Sequence, residues 1–173
     1  VGCSVWKKLF RRMEGVDDWQ VLSAEEDWSE LIHNPKKNGL TYLHNYPVEE
    51  ANRLMNDPAY TRAIFVRDPK ERYLSAFLDK AMHNNSTYIS KNCKKISQDE
   101  AWTAGRTMEG FLNLTAKKCP NNPHWRPQGL RMGSIDSPLM QTIDFVGYMD
   151  TIKEDSRRLL EKIGAWDDYR ASG

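Results

Sequence analysis

The sequence predicts an α/β layered domain built on a mainly parallel sheet. Three observations carry this: apolar residues at helical spacing from Ser4 to Glu14, a short β-branched run at Arg62–Val66 broken by Arg67-Asp68-Pro69, and a second such run at Ile143–Tyr148 that leads into an amphipathic stretch. Short continuous apolar strands are those of sheets covered by helices, and strands alternating with helices give parallel pairing.

From Ser4 to Glu14, Val5, Trp6, Leu9, Phe10 and Met13 form the apolar face, Lys7, Lys8, Arg11 and Arg12 the other, and Gly15 stops the helix. Ser4 stands where an N-cap belongs, after Gly2, so the segment reads as a tight loop feeding a helix N-terminus. Gly39–Tyr46 is expected as a strand, and Pro47, with Glu49 and Glu50 behind it, as the start of a short helix through Met55. Arg62–Val66 is the next strand. Pro69 then opens a helix whose Tyr73, Leu74, Phe77, Leu78 and Ala81 form one apolar stripe, and the polar stretch His83–Lys95 reads as a surface excursion. Ser97-Gln98-Asp99-Glu100 has the capping-box pattern, with Met108, Phe111 and Leu112 supplying a further apolar face. Cys119–Gln141 is irregular and rich in Pro and Gly. Ile143–Tyr148 is the last strand, and a helix from Asp150 carries Ile152, Leu159, Leu160 and Ile163 to a stop at Gly164.

A chain of 173 residues, 39% hydrophobic and with six Trp, has enough apolar surface for one substantial core. Its 25 Lys and Arg against 24 Asp and Glu leave a net charge of +1, so no global field marks a nucleic-acid or membrane-surface binder. An anion site must be built locally. No apolar run approaches the roughly 18 residues of a membrane helix, and the start of the chain lacks the layout of a signal peptide. Cys3, Cys93 and Cys119 are too few and too scattered for a zinc cluster, and leave room for one disulfide and one free thiol.

Two segments carry chemistry, each where loop or strand hands over to helix, the position at which open α/β sheets bind ligands. In Val1-Gly2-Cys3-Ser4-Val5-Trp6-Lys7, backbone N–H groups, the helix dipole and the Ser4 hydroxyl are able to cradle a phosphate; a simple capping role is the alternative. In the second, Phe65–Phe77, a buried strand delivers Arg67 to the sheet edge, Pro69 sets the turn, and Ser75 lies on the following helix. Arg67 offers planar bidentate donors suited to phosphate, and pairing with Asp68 is the alternative.

The order and content of these segments resemble the membrane-bound Golgi carbohydrate sulfotransferases, the group that includes the chondroitin and dermatan 4-O-sulfotransferases. There a Pro-Lys-Val-Gly-Cys-Ser/Thr-Asn-Trp-Lys loop holds the 5′-phosphosulfate of 3′-phosphoadenosine 5′-phosphosulfate, and a Val-Arg-x-Pro-x-x-Arg-x-x-Ser-Ala-Tyr/Phe segment holds its 3′-phosphate. This chain shows Val1 to Lys7 for the first and Val66 to Phe77 for the second, with His124-Trp125-Arg126-Pro127-Gln128 and Ile143-Asp144-Phe145-Val146-Gly147 similar to two later elements. It departs in Val5 for the usual Asn, in Asp150 where the family has Glu, and in lacking cysteines after the His-Trp element. The family's donor-site Lys would fall just before Val1.

The resemblance implies a P-loop-like three-layer fold, N-terminally truncated, with residues 1–173 forming a single sulfotransferase domain incomplete at its N-terminus. It implies a donor site made of Gly2, Cys3, Ser4, Val5, Trp6, Lys7, Arg67 and Ser75, a carbohydrate acceptor, and a type II protein of the Golgi lumen whose membrane anchor lies upstream of Val1. Sulfuryl transfer needs in-line geometry, a base for the acceptor hydroxyl and positive charge for the leaving phosphate, and needs no metal. His44 and His124 are the candidate bases. An oxidising lumen predicts a Cys93–Cys119 disulfide with Cys3 free, and the sequons at Asn84, Asn85 and Asn113 lend mild support to a secretory location. Two other readings stand beside this one: a catalytically inactive glycan- or nucleotide-binding module, and a P-loop nucleotide kinase, against which counts the lack of a Gly-x-x-x-x-Gly-Lys-Ser/Thr loop.

Overall fold

A computed structural model describes residues 3–19, 28–83, 87–134 and 136–170. They fall into two compact units, one of residues 1–62 with 153–173 and one of residues 63–152.

The first unit holds helices α1 (Cys3–Met13), α2 (Trp28–His33) and α3 (Val48–Asn56). The expected two-faced α1 is corrected at three positions: Arg11, assigned to the solvent face, is 1% exposed, whereas Val5 and Phe10, assigned to the apolar face, are exposed. Its guanidinium donates to the Asn38 carbonyl at 2.6 Å and to the Asp18 carbonyl at 3.0 Å, and pairs with the Asp18 carboxylate at 2.5 Å. A buried charge persists only when partners answer it, and here loop carbonyls do. Gly15 ends α1 at φ 72° as expected.

The strand expected at Gly39–Tyr46 is not formed. Fully buried Asn38 donates its carboxamide to the Ile32 carbonyl at 3.0 Å and the Tyr42 hydroxyl at 2.6 Å, and accepts from the Leu40 N–H at 3.1 Å. A 3₁₀ turn follows at Leu43–Asn45, where the Asn45 side chain accepts from the Tyr42 N–H at 2.8 Å. Side-chain amides thus take the backbone groups that a neighbouring strand would need.

The second unit is built on two parallel strands, β1 (Ala63–Val66) and β2 (Phe145–Tyr148), in register from Ala63 opposite Phe145 to Val66 opposite Tyr148. Gly147 is required there, because a Cβ would strike the ring of its partner Phe65. Between the strands run α4 (Pro69–Phe77), a π-helical turn (Leu78–His83), α5 (Thr87–Asn92), α6 (Gln98–Gly105), α7 (Met108–Lys118) and α8 (Pro138–Gln141). After β2 come α9 (Ile152–Lys162), whose body belongs to the first unit, and α10 (Trp166–Tyr169). A mixed fold with parallel pairing agrees with the alternation of elements, and among the described residues the sheet has two strands rather than the three expected.

The core of this unit is aromatic. Phe111 is fully buried, with Tyr73, Phe77 and Trp125 packed on it at ring-centroid distances of 5.4, 5.6 and 5.4 Å. Burying a side chain of that size contributes about 1.5–3 kcal/mol. The predicted α4 stripe splits: Phe77 and Ala81 enter the core, while Leu74 and Leu78 face outward. Leu112 is likewise exposed and Leu114 takes its place in the core. The stretch expected as a surface excursion contains α5, whose Ile89 is fully buried; polar neighbours hid a single apolar anchor. Ser97 caps α6 by accepting from the Glu100 N–H. Asn113 is exposed on α7, while the sequons at Asn84 and Asn85 begin outside the described residues.

Cys93 and Cys119 form the predicted disulfide, their Cα atoms 5.0 Å apart, and Trp125 Nε1 donates to the Cys119 carbonyl at 2.8 Å. With the two positions 26 apart in sequence, loop-closure entropy makes the bridge worth about 3 kcal/mol. Urea unfolding with and without reductant should therefore show a stability loss of that order, absent in a C93A/C119A double variant.

Candidate functional site

The strand-to-helix handover at residues 66–69 is built by local rules. Asp68 caps α4 by accepting from the Lys70 N–H at 2.8 Å and the Glu71 N–H at 3.2 Å, and Pro69 occupies the first helical turn, where its missing N–H costs nothing. The Arg67–Asp68 pairing that the sequence left open is therefore not made by this cap. Arg67 Nε stands 3.5 Å from Glu71 Oε2 instead, an ion pair one helical turn along.

Gln128 holds the strand end from outside. Its side-chain oxygen accepts from the Arg67 backbone N–H at 3.1 Å, and its amide nitrogen donates to the Phe65 carbonyl at 3.3 Å, so one carboxamide imitates a neighbouring strand. Arg72 donates to the Arg126 and Pro123 carbonyls at 2.5 Å each and ties α4 to the loop bearing Gln128. Sequence reasoning missed Gln128, although it closes the His124–Gln128 element.

Arg67 and Ser75 both line one cavity of about 640 Å³, with Glu71, Leu74, Leu78, Asp79 and His83. The exposed leucines of the split stripe form its apolar wall. A second cavity of about 720 Å³ on the Arg72 side of α4 is walled by Tyr73, Leu112, Thr115, Trp125, Arg126 and Pro127 among others. There the Tyr73 hydroxyl bonds the Thr115 hydroxyl; burial pushes the Tyr73 phenol up, and the Thr115 contact opposes this in part.

The other expected half of the site is on α1, in the first unit. Gly2 lies outside the described residues, and the helix begins at Cys3, so Ser4 sits in the first turn rather than at the N-cap. Ser4 Oγ shares a hydrogen bond of 3.3 Å with His33 Nε2 at the end of α2. Lys7 Nζ donates to the Ile32 carbonyl at 3.3 Å, Val5 is exposed, and Trp6 packs on Phe10 at 5.6 Å. His33 escaped the sequence reading because 29 positions separate it from Ser4 and no motif marks it. His44 is exposed and stacks on Tyr42 at 5.4 Å; His124 is exposed and meets Tyr88 edge-on at 5.1 Å.

Among the described residues no group of three or more His, Cys, Asp or Glu is placed to hold a metal ion, and no helix is long and apolar enough to cross a membrane.

Comparison with known proteins gives a consistent result. A family model described as the sulfotransferase family matches residues 1–172. Carbohydrate sulfotransferase 9 of Homo sapiens is 30% identical over 174 residues, carbohydrate sulfotransferase 11 of Mus musculus 28% over 184, and carbohydrate sulfotransferase 10 of Gallus gallus 25% over 181. Each alignment takes in 95% of this chain, which spans 37% of the first relative and 48% of the other two. No solved structure gives a significant match.

The bracing around β1 is testable without any ligand. Arg72→Ala removes two charge-assisted bonds to carbonyls and should lower the unfolding free energy by about 2 kcal/mol. A urea midpoint equal to that of the unaltered chain would show that the loop carrying Gln128 does not depend on it.

Proposed function

The chain belongs to the sulfotransferase family, and on that premise we propose that it takes part in moving a sulfuryl group from 3′-phosphoadenosine 5′-phosphosulfate to a hydroxyl of a carbohydrate. The observation that carries the reading is the shared cavity of Arg67 and Ser75 just beyond a parallel strand. A guanidinium and a hydroxyl on one concave surface suit a phosphate, and the cavity's size and leucine wall leave room for the nucleoside. The α/β arrangement agrees with the P-loop-like fold that this reading includes.

In this reading Arg67 and Ser75 hold the 3′-phosphate. Gly2, Cys3, Ser4, Val5, Trp6 and Lys7 hold the 5′-phosphosulfate through backbone N–H groups, the Ser4 hydroxyl and the Lys7 ammonium. The donor supplies an activated sulfuryl group. What the chain must supply is a base for the acceptor hydroxyl, and His33, already hydrogen-bonded to Ser4, is favoured for it. His44 and His124 are the alternatives for the same role. The carbohydrate acceptor follows from the relatives' names. A Golgi lumen location accords with the Cys93–Cys119 disulfide, since such bonds persist in oxidising compartments.

Arg67→Ala should weaken binding of 3′-phosphoadenosine 5′-phosphate roughly ten- to hundred-fold in calorimetric titration while the protein stays folded. Unchanged affinity in a folded variant would sink the donor-site assignment. His33→Ala in the full-length protein should lower kcat on a carbohydrate acceptor about 10²-fold or more, the usual worth of a general base, with nucleotide affinity nearly retained.

A further inference from the structure

His83 ends the π-helical turn after α4 and lines the same cavity as Arg67 and Ser75. The turn is the reason. In an α-helix the face of positions 71, 75 and 78 continues to 82, but i→i+5 bonding carries extra residues per turn and re-aims the side chains beyond it. It is His83 that lines the cavity beyond Ser75, Leu78 and Asp79, while Met82 is exposed. Interruptions of this kind occur frequently at functional sites.

The charges facing the cavity are Arg67, Glu71, Asp79 and His83. Glu71 engages Arg67 at 3.5 Å; Asp79 is answered by Lys80 at 2.8 Å, and that ammonium also lies 5.0 Å from the Tyr88 ring centre. Arg67 is thus shared with a carboxylate before any anion arrives, and two carboxylates border the space a phosphate would enter. A further donor on that wall changes the balance.

We propose that His83 is a second contact for the phosphate held by Arg67 and Ser75. This rests on the donor reading of the cavity. The imidazole lines the same wall as the guanidinium and the hydroxyl and has a ring N–H to donate, so the informative quantity is the ratio of the affinities of two proteins under one condition.

The full chain, His83→Ala and Arg67→Ala are titrated calorimetrically with 3′-phosphoadenosine 5′-phosphate. The unaltered chain should bind roughly fivefold more tightly than His83→Ala, as for one added hydrogen-bond contact. Equal affinities of the unaltered chain and His83→Ala overturn the inference, and if Arg67→Ala still loses binding the donor reading stands without it. An unaltered chain that does not bind the nucleotide overturns both.

Discussion

Parallel strands cannot be joined by a tight turn, and that constraint organises the second unit. Pairing Ala63–Val66 with Phe145–Tyr148 obliges residues 67–144 to leave the sheet and return. Closing so long a loop costs entropy, though slowly with length, and it must be offset by packing within the excursion. Phe111 and its ring of Tyr73, Phe77 and Trp125 provide that packing, and the Cys93–Cys119 bridge shortens what remains to be closed. The same geometry puts Arg67 at the carboxyl end of β1, where parallel sheets present ligand-binding residues.

Three arginines show how context assigns a role to one side-chain type. Arg11 is buried, with two carbonyls and one carboxylate around it, and serves as a fastener for the loops after α1. Arg72 does the same between α4 and the loop at 123–126, using two carbonyls. Arg67 differs: its ion pair is with an exposed carboxylate on the next turn, and its side chain borders open space. An exposed pair of this kind is weak, on the order of 0–1 kcal/mol. Carbonyl partners meet these structural guanidiniums without adding charge, and the Asp18 carboxylate supplies the counter-charge for Arg11.

Gln128 links structure to site. By pairing with both Phe65 and Arg67 it closes the backbone of β1 where no strand of the described residues lies alongside, and leaves the Arg67 side chain directed by the helix after it. Bracing of this kind fixes the backbone that carries Arg67, so that ordering it would cost nothing further on ligand binding.

What the sequence determined by itself were the features that local chemistry dictates. The β-branched runs became β1 and β2, Pro69 opened α4 behind an Asp68 cap, Ser97 capped α6, and Gly15 and Gly164 ended their helices at positive φ, because each outcome depends on residues within one or two turns. The motif that joins Arg67 to Ser75 was legible for the same reason. Tertiary structure alone decided the rest: the burial of Arg11, the diversion of Gly39–Tyr46 by Asn38, the anchoring of α5 by Ile89, and the meetings of Ser4 with His33 and of Arg67 with Gln128. Each of those turns on a partner too far along the chain, or on a surrounding too nonlocal, for periodicity or capping to encode it, since hydrogen-bond demand in a folded chain is met by whichever group packing brings within about 3 Å.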